Sequence, residues 1–131
     1  ALARLQRFLE TFPASDRTAD AKGTLAEIHD RLGHKEYLNA RLYFSRKAHD
    51  AALVYIDKVI GAYPATTWAA RCLYYRGQIK ELRGDAAGAA DDYRAVASSK
   101  GDVPERANAR ARLEALAARA GGAKPDDGGA N

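Results

Sequence analysis

The sequence predicts an all-α protein, an α-solenoid of antiparallel helical hairpins with one extra-long helix. An apolar stripe recurs at positions −12, −8, −5, −4 and −1 before a helix breaker, as expected for a helix with one buried face. Matching short connectors follow the first two breakers, and the abundance of alanine favours helices. Units repeated in this way bury their apolar faces against each other. The stripes end at Pro13 (Ala1, Leu5, Phe8, Leu9, Phe12), Pro64 (Ala52, Ile56, Val59, Ile60, Tyr63) and Gly101 (Ala89, Tyr93, Val96, Ala97, Lys100).

Size and composition fit one folded domain. The 131 residues can bury a modest core, and 47% hydrophobic with 29% charged residues is typical of a folded protein. The formal net charge is +4, but the arginines are spread along the chain. A solvated basic surface is therefore favoured over nucleic-acid binding. No apolar stretch is long enough to cross a membrane. Methionine is absent and Ala1 lies inside a stripe, so we expect further sequence upstream.

The first stripe predicts a helix over residues 1–12, the second helix of a hairpin whose first helix would precede it. Pro13 ends this helix because proline lacks an amide donor and restricts the residue before it. Ser15 or Asp16 can cap the next helix by accepting hydrogen bonds from its free amides.

A long helix is predicted over residues 16–46. Pro13 and Pro64 are 51 residues apart, whereas a hairpin repeat of the common class spans only about 34. The extra residues correspond to nearly five helical turns, and apolar positions continue through them. Gly33 costs about 1 kcal/mol relative to alanine inside a helix. The segment is therefore either one helix, bent at Gly33, or two helices broken at Gly33 and His34.

Capping residues and breakers define the remaining helices. Thr66 and Asp85 are N-cap residues, and Gly84 closes a helix in the left-handed conformation that glycine tolerates. Asp102 as a cap, with Pro104 in the first turn, starts a last helix that closes the stack. The predicted helices cover residues 48–62, 67–83, 85–98 and 103–119.

Two regions follow from this pattern. A helical repeat domain is predicted over residues 1–120. Residues 121–131 contain four glycines and no large apolar side chain. They are predicted to form a disordered tail because they cannot bury enough apolar surface to order the chain.

The unit over residues 64–101 resembles a tetratricopeptide repeat. Gly77 matches the position where the two helices cross closely, and Gly84 with Asp85 matches the tight turn between them. Arg76 departs from the pattern, because it stands immediately before the crossing glycine, where the repeat usually has a different large residue. The packing positions of the second helix are matched by Ala89, Tyr93 and Val96.

A set of short motifs is distributed over residues 2–98. They are Phe12 and Pro13 with Ser15, Arg31 and Leu32 with Glu36, Ala40 with Tyr43 and Phe44, Ala51 and Ala52, Tyr63 and Pro64 with Thr66, and Gly84. In these residues the stretch resembles the C-terminal half of the BamD family, the lipoprotein component of the bacterial outer-membrane β-barrel assembly machine. That family also has a long insertion between its two proline landmarks.

The resemblance implies a protein at the periplasmic face of the bacterial outer membrane, anchored by lipid on an N-terminal cysteine. The internal Cys72 cannot be that anchor. Family members often carry an arginine near the middle of the 48–62 helix. Tyr55 occupies this position here, so a salt bridge to the partner that is typical of the family is not expected.

No residue pattern favours catalysis, a metal or a cofactor. His29, His34 and His49 lack the spacing of four residues that places two ligands on one helix face, and no carboxylate completes a metal set. Cys72 has no evident histidine partner, which argues against a nucleophile. Adjacent acidic residues are interpreted as solvated charges rather than an acid–base pair; these pairs are Asp91 with Asp92 and Asp126 with Asp127.

A partner-binding surface is predicted on the first helices of the hairpins, which line the concave face of such stacks. Aromatic and arginine side chains are the mixture that supplies interface hot spots. The alternative is that the aromatic rings pack between repeats and that the arginines are ordinary surface charges. The predicted binding residues are Tyr37, Arg41 and Phe44 on the long helix and Arg71, Tyr74 and Gln78 on the next.

The sequence and the resemblance together suggest a non-catalytic scaffold of the outer-membrane assembly machinery. Its expected partners are barrel-assembly subunits and, in addition, unfolded outer-membrane proteins, without nucleic acid. The alternative function is a general tetratricopeptide adaptor that holds a peptide or a partner protein in its concave groove.

Overall fold

The computed structural model describes residues 1–11 and 16–129, with side chains at 1–11 and 17–121. Regular structure in these residues is α-helical without strands, which confirms the predicted all-α, tetratricopeptide-like fold. Antiparallel hairpins pack on one another in chain order. The described helices are α1 (Leu2–Thr11), α2 (Asp16–Ser45), α3 (His49–Ala62), α4 (Thr67–Leu82), α5 (Ala86–Ala97) and α6 (Arg106–Gly129).

The segment before Ala48 is one continuous helix, so the prediction of a long helix is confirmed and the alternative of a break at Gly33 is wrong. With 30 residues, α2 is about 45 Å long. Gly33 is buried, and a β-carbon there would lie 3.4 Å from both Thr66 Oγ1 and Trp68 Cδ1. The glycine therefore lets the start of α4 approach α2 closely.

The hairpin of α4 and α5 forms as its capping residues predict. Thr66 Oγ1 accepts from the amide of Ala69 at 3.3 Å, and Asp85 Oδ1 accepts from that of Gly88 at 2.9 Å. Gly84 has a φ of +83°, the left-handed conformation that ends a helix at little cost for glycine.

The two helices of this hairpin cross at Gly77. A β-carbon on Gly77 would lie only 2.8 Å from Cε1 of the fully buried Tyr93. The preceding residue, Arg76, departs from the usual repeat pattern and instead pairs with Asp92 on α5 through two hydrogen bonds of 2.9 and 3.0 Å. Asp92 is 4% exposed, so its interpretation as a solvated charge is wrong. Asp91 is exposed, as predicted.

Among the described residues the core forms two connected clusters, as expected for units that pack on their neighbours. The first joins α2, α3 and α4, and the second joins α4, α5 and α6. Four of the six largest fully buried side chains among the described residues come from the predicted stripes: Ile56 and Val59 on α3 and Tyr93 and Val96 on α5. Helix α4 contributes to both clusters and so connects the hairpins.

The last helix begins later than predicted. The carbonyl of Val103 accepts from the amide of Arg106, so residues 103–105 form a turn and the prediction of a helix from 103 with Asp102 as its cap is wrong. Val103 is buried in the second cluster, which draws this turn inward.

The helical backbone of α6 continues to Gly129, beyond the end predicted at 119. The division into a repeat domain and a tail stays a prediction.

The first helix is confirmed at Leu2–Thr11, and none of its residues is fully buried. Leu5, Phe8 and Leu9 are half-buried on the side that packs against α2. The predicted helix end at Phe12 and Pro13 and the predicted cap at Ser15 or Asp16 lie outside the residues whose placement and side chains are described.

Candidate partner-binding surface

The first helix of each hairpin contributes side chains to one shared surface, here called the inner face. It is formed by α2, α4 and α6. Side-chain contacts connect α2 to α4 through Tyr37 and Trp68, and α4 to α6 through Glu81 and Arg112. All six predicted binding residues belong to α2 or α4 and lie in this set of contacts.

Aromatic rings from α2 and α4 form the floor of the inner face. Tyr37 is 2% exposed and lies 5.0 Å from Trp68 and 6.3 Å from Tyr75, measured between ring centroids. Phe44, half-buried, meets the edge of Tyr75 at 4.9 Å. Tyr37 and Phe44 thus pack between repeats, as in the alternative that the sequence left open.

Arg71 is held in place by a buried carboxylate. Its Nε donates to both carboxylate oxygens of Glu105, at 3.0 and 3.1 Å, and Tyr75 donates to the same carboxylate at 3.3 Å. The Arg71 guanidinium also lies over the rings of Tyr37 and Trp68, at 4.7 and 5.3 Å. Glu105 therefore fastens the start of α6 to α4 and, through Arg71, to α2.

Arg41 is the exposed counterpart of Arg71. Its guanidinium lies 5.9 Å from the centre of the Tyr37 ring and 5.6 Å from that of Tyr75. It donates to the Tyr37 hydroxyl at 3.1 Å. Within the described part of the chain it forms no ion pair with a carboxylate. Stacking on two rings orders this cation while leaving donors available, an arrangement suited to an anionic partner.

Tyr74 and Gln78 lie one turn apart on α4. Tyr74 is 7% exposed and packs against Tyr75 and Tyr93. Gln78 is half-buried, and its amide nitrogen donates to the Tyr74 hydroxyl at 2.7 Å. Tyr74 therefore mainly packs in the interior. Its hydroxyl orients the side chain of Gln78, which reaches the surface.

A pocket of about 320 Å³ opens beside these residues at the C-terminal ends of α2 and α4. Its apolar walls are Phe44 and Leu82, and Leu82 is 70% exposed. Its polar walls are Gln78, Glu81 and Arg112. Glu81 pairs with Arg112 of α6 and accepts from the Tyr93 hydroxyl at 2.8 Å. The Arg112 hydrogen bond lowers the pKa of the Glu81 carboxyl below its usual 4.5.

Sequence reasoning did not find four residues that shape the inner face. Trp68 and Tyr75 are aromatic and lie on α4 three and four positions from predicted residues, so helical spacing could have indicated them. Glu105 and Arg112 come from a segment more than 20 residues further along the chain, and no local pattern connects them to α4.

Groups that could perform chemistry are engaged in packing. Cys72 is fully buried, and burial raises the pKa of its thiol to about 12, so it stays protonated and inaccessible. His34 stacks on Trp68 at 4.2 Å, and His29 and His49 contact Tyr63 and Phe44. In the described residues no group of three or more histidine, cysteine or acidic side chains is arranged to hold a metal ion. Within the same residues, the helices are too short or too polar to cross a bilayer.

Stacked antiparallel hairpins with a continuous inner face define a helical repeat protein of the tetratricopeptide class. The family model described as YfiO, outer membrane lipoprotein, matches residues 1–95. The chain therefore belongs to this family of outer-membrane lipoproteins, and the resemblance to BamD noted from the sequence is confirmed. No curated protein and no solved structure matches the chain significantly.

Proposed function

We propose that this chain is a non-catalytic scaffold of the outer-membrane β-barrel assembly machinery, acting at the periplasmic face of the membrane. It binds partner subunits through the inner face of its helical repeats. Family membership supports the assembly role. The burial of Cys72 and the ring contacts of His29, His34 and His49 support a role in binding rather than in catalysis.

One observation supports the inner face as the binding surface. Arg41 is exposed, ordered by stacking over Tyr37 and Tyr75, and not paired with a carboxylate in the described residues. Half-buried Phe44 and Gln78 follow it at the same surface. An ordered cation beside apolar surface is the composition found at interface hot spots.

Because Tyr37 and Tyr74 are buried, we do not propose that all six residues touch a partner directly. These two rings support the surface from below, and Arg71 is already paired with Glu105. The residues proposed to touch a partner directly are Arg41, Phe44 and Gln78, with Arg71, Tyr37 and Tyr74 holding them in position.

Binding of the purified chain to the periplasmic domains of the large barrel subunit, measured by calorimetry, tests this function. Arg41→Ala is expected to weaken binding about tenfold or more, the loss typical of a hot-spot residue. Arg94→Ala is the matched control, because Arg94 is also exposed but pairs with Asp91 on α5. It should leave the affinity unchanged.

Two results would contradict the proposal. If the folded wild-type chain does not bind the barrel subunit, the general adaptor becomes the better description. If Arg41→Ala binds as well as Arg94→Ala does, the partner contacts another face.

A further inference from the structure

We infer that the pocket at the ends of α2 and α4 binds an extended peptide segment in which a large apolar side chain lies two residues from a carboxylate. Helix α6 supplies the wall that completes this site. The inference rests on the proposed function, since it names the chemistry of the segment that the inner face holds. It is carried by the lining of the pocket and by Arg41, which lies one helical turn before the pocket residue Phe44.

The apolar side chain of the segment is placed by Phe44 and Leu82. Phe44 comes from α2 and Leu82 from α4, and together they form the apolar part of the pocket. Leu82 is 70% exposed. An aliphatic side chain between them would remove apolar surface on both walls from water, which is the main favourable contribution to such binding.

The carboxylate of the segment is placed by Arg41. Arg41 lies one helical turn before Phe44, and both side chains contact the ring of Tyr75. The cation and the apolar pocket are therefore separated by about one turn of α2, roughly 5 Å along its axis. Side chains two residues apart in an extended peptide lie on the same face, about 7 Å apart, and can reach both positions.

The peptide backbone is placed by Gln78. Its amide nitrogen is already used by the Tyr74 hydroxyl at 2.7 Å. This leaves the side-chain carbonyl of Gln78 as an acceptor at the pocket, where a backbone N–H of an extended segment can donate to it.

The presence of Glu81 in the pocket limits the kind of anionic ligand that can bind there. Glu81 lines the pocket, and its pairing with Arg112 keeps it ionised by lowering its pKa. A single carboxylate of the peptide, bound to Arg41, does not contact the ion pair of Glu81 and Arg112. Because the pair of Glu81 and Arg112 carries no net charge, the described lining of the pocket offers no second free cation for a polyanion such as nucleic acid or a phosphorylated segment.

Arg112 gives the site its third wall. It is fixed by Glu81, so it shapes the pocket rather than serving as a free anion receptor. Arg112 lies on α6, outside the residues 1–95 that the family model matches. The specificity of this pocket therefore depends on a helix beyond the matched segment.

Blocked six-residue peptides in which one residue separates leucine from aspartate, measured by fluorescence anisotropy against the full chain, test the inference. The parent peptide should bind, and replacing the leucine by serine or the aspartate by asparagine should each weaken binding at least fivefold. Arg41→Ala should abolish the preference for aspartate over asparagine while keeping the preference for leucine. Leu82→Ser should do the reverse, and Arg94→Ala should change neither.

Measuring binding of the barrel subunit to the same variants distinguishes the proposed peptide pocket from the proposed assembly role. If the parent peptide fails to bind, or aspartate and asparagine peptides bind equally, the pocket inference is overturned even when the subunit binds through Arg41. If the peptides show the expected preferences but the subunit does not bind, the pocket stands and the assembly role fails.

Discussion

Glu105 is the residue that organises the inner face. It is 6% exposed and accepts hydrogen bonds from Arg71 and Tyr75. A carboxylate at this depth is tolerated only when it is paired and hydrogen-bonded, and both conditions are met here. The side chain fixes Arg71 over Tyr37 and so gives the binding surface a defined shape.

Removing the charge of Glu105 should destabilise the fold. Glu105→Gln leaves the largely buried guanidinium of Arg71 without its counter-ion, which should lower the free energy of unfolding by about 2 kcal/mol. This is less than for a fully buried pair, because Arg71 still reaches water. Urea denaturation measures it. Glu114→Gln, at an exposed position on α6, is the control and should change little. Equal stabilities of the two variants would show that the pairing contributes nothing.

The pair of Glu81 and Arg112 should make stability depend on pH. The Arg112 hydrogen bond lowers the pKa of the folded-state Glu81 carboxyl below 4.5. Its stabilisation is therefore complete above about pH 4.5 and is lost as the pH falls through the lowered value. Arg112→Ala should lower the melting temperature at pH 7, and the difference from wild type should shrink towards pH 3. A difference that stays constant over this range would contradict the assigned cause.

Residue roles were only partly predictable from the sequence. The six predicted residues all lie on α2 and α4 at the inner face, because helical spacing indicates which side chains share a side of a helix. Burial of Tyr37 and Tyr74 depends on how closely the next helix approaches. The spacing of residues along one helix carries no information about that distance. The pairing of Asp92 with Arg76 was missed because it joins two helices of a hairpin.

At the scale of elements, breakers and caps predicted α2 to α5 to within one or two residues. These signals are local: Thr66 and Asp85 accept hydrogen bonds from amides three residues later. The start of α6 was misplaced by three residues, because burial of Val103 by the second cluster prevailed over the local capping preference of Asp102.

The crossing of α4 and α5 should tolerate no side chain at Gly77. In Gly77→Ala the new methyl would lie 2.8 Å from Tyr93, so overpacking should lower the free energy of unfolding by about 1–3 kcal/mol. Gly23→Ala is the matched control inside α2, where a β-carbon meets nothing within 4 Å. It should raise stability by about 1 kcal/mol through helix propensity. Thermal unfolding followed by circular dichroism distinguishes the two, and a Gly77→Ala variant as stable as Gly23→Ala would refute the close crossing.

At the scale of the whole molecule, the order and spacing of the apolar stripes predicted the stack of hairpins. The family was recognised from its resemblance at particular residues, such as Pro13, Pro64 and Gly84. The sequence could not predict the pocket, whose walls come from three helices. Glu81 and Arg112 are 31 residues apart and meet only when α6 packs beside α4.

The central claim is that a partner polypeptide lies on the inner face, and hydrogen exchange of the chain with and without the barrel subunit's periplasmic domains tests it most directly. Binding should slow amide exchange at residues 41–45 and 74–82 and leave residues 50–58 of α3 unchanged. Protection confined to α3 or α5, with no change at 41–45, would contradict the account.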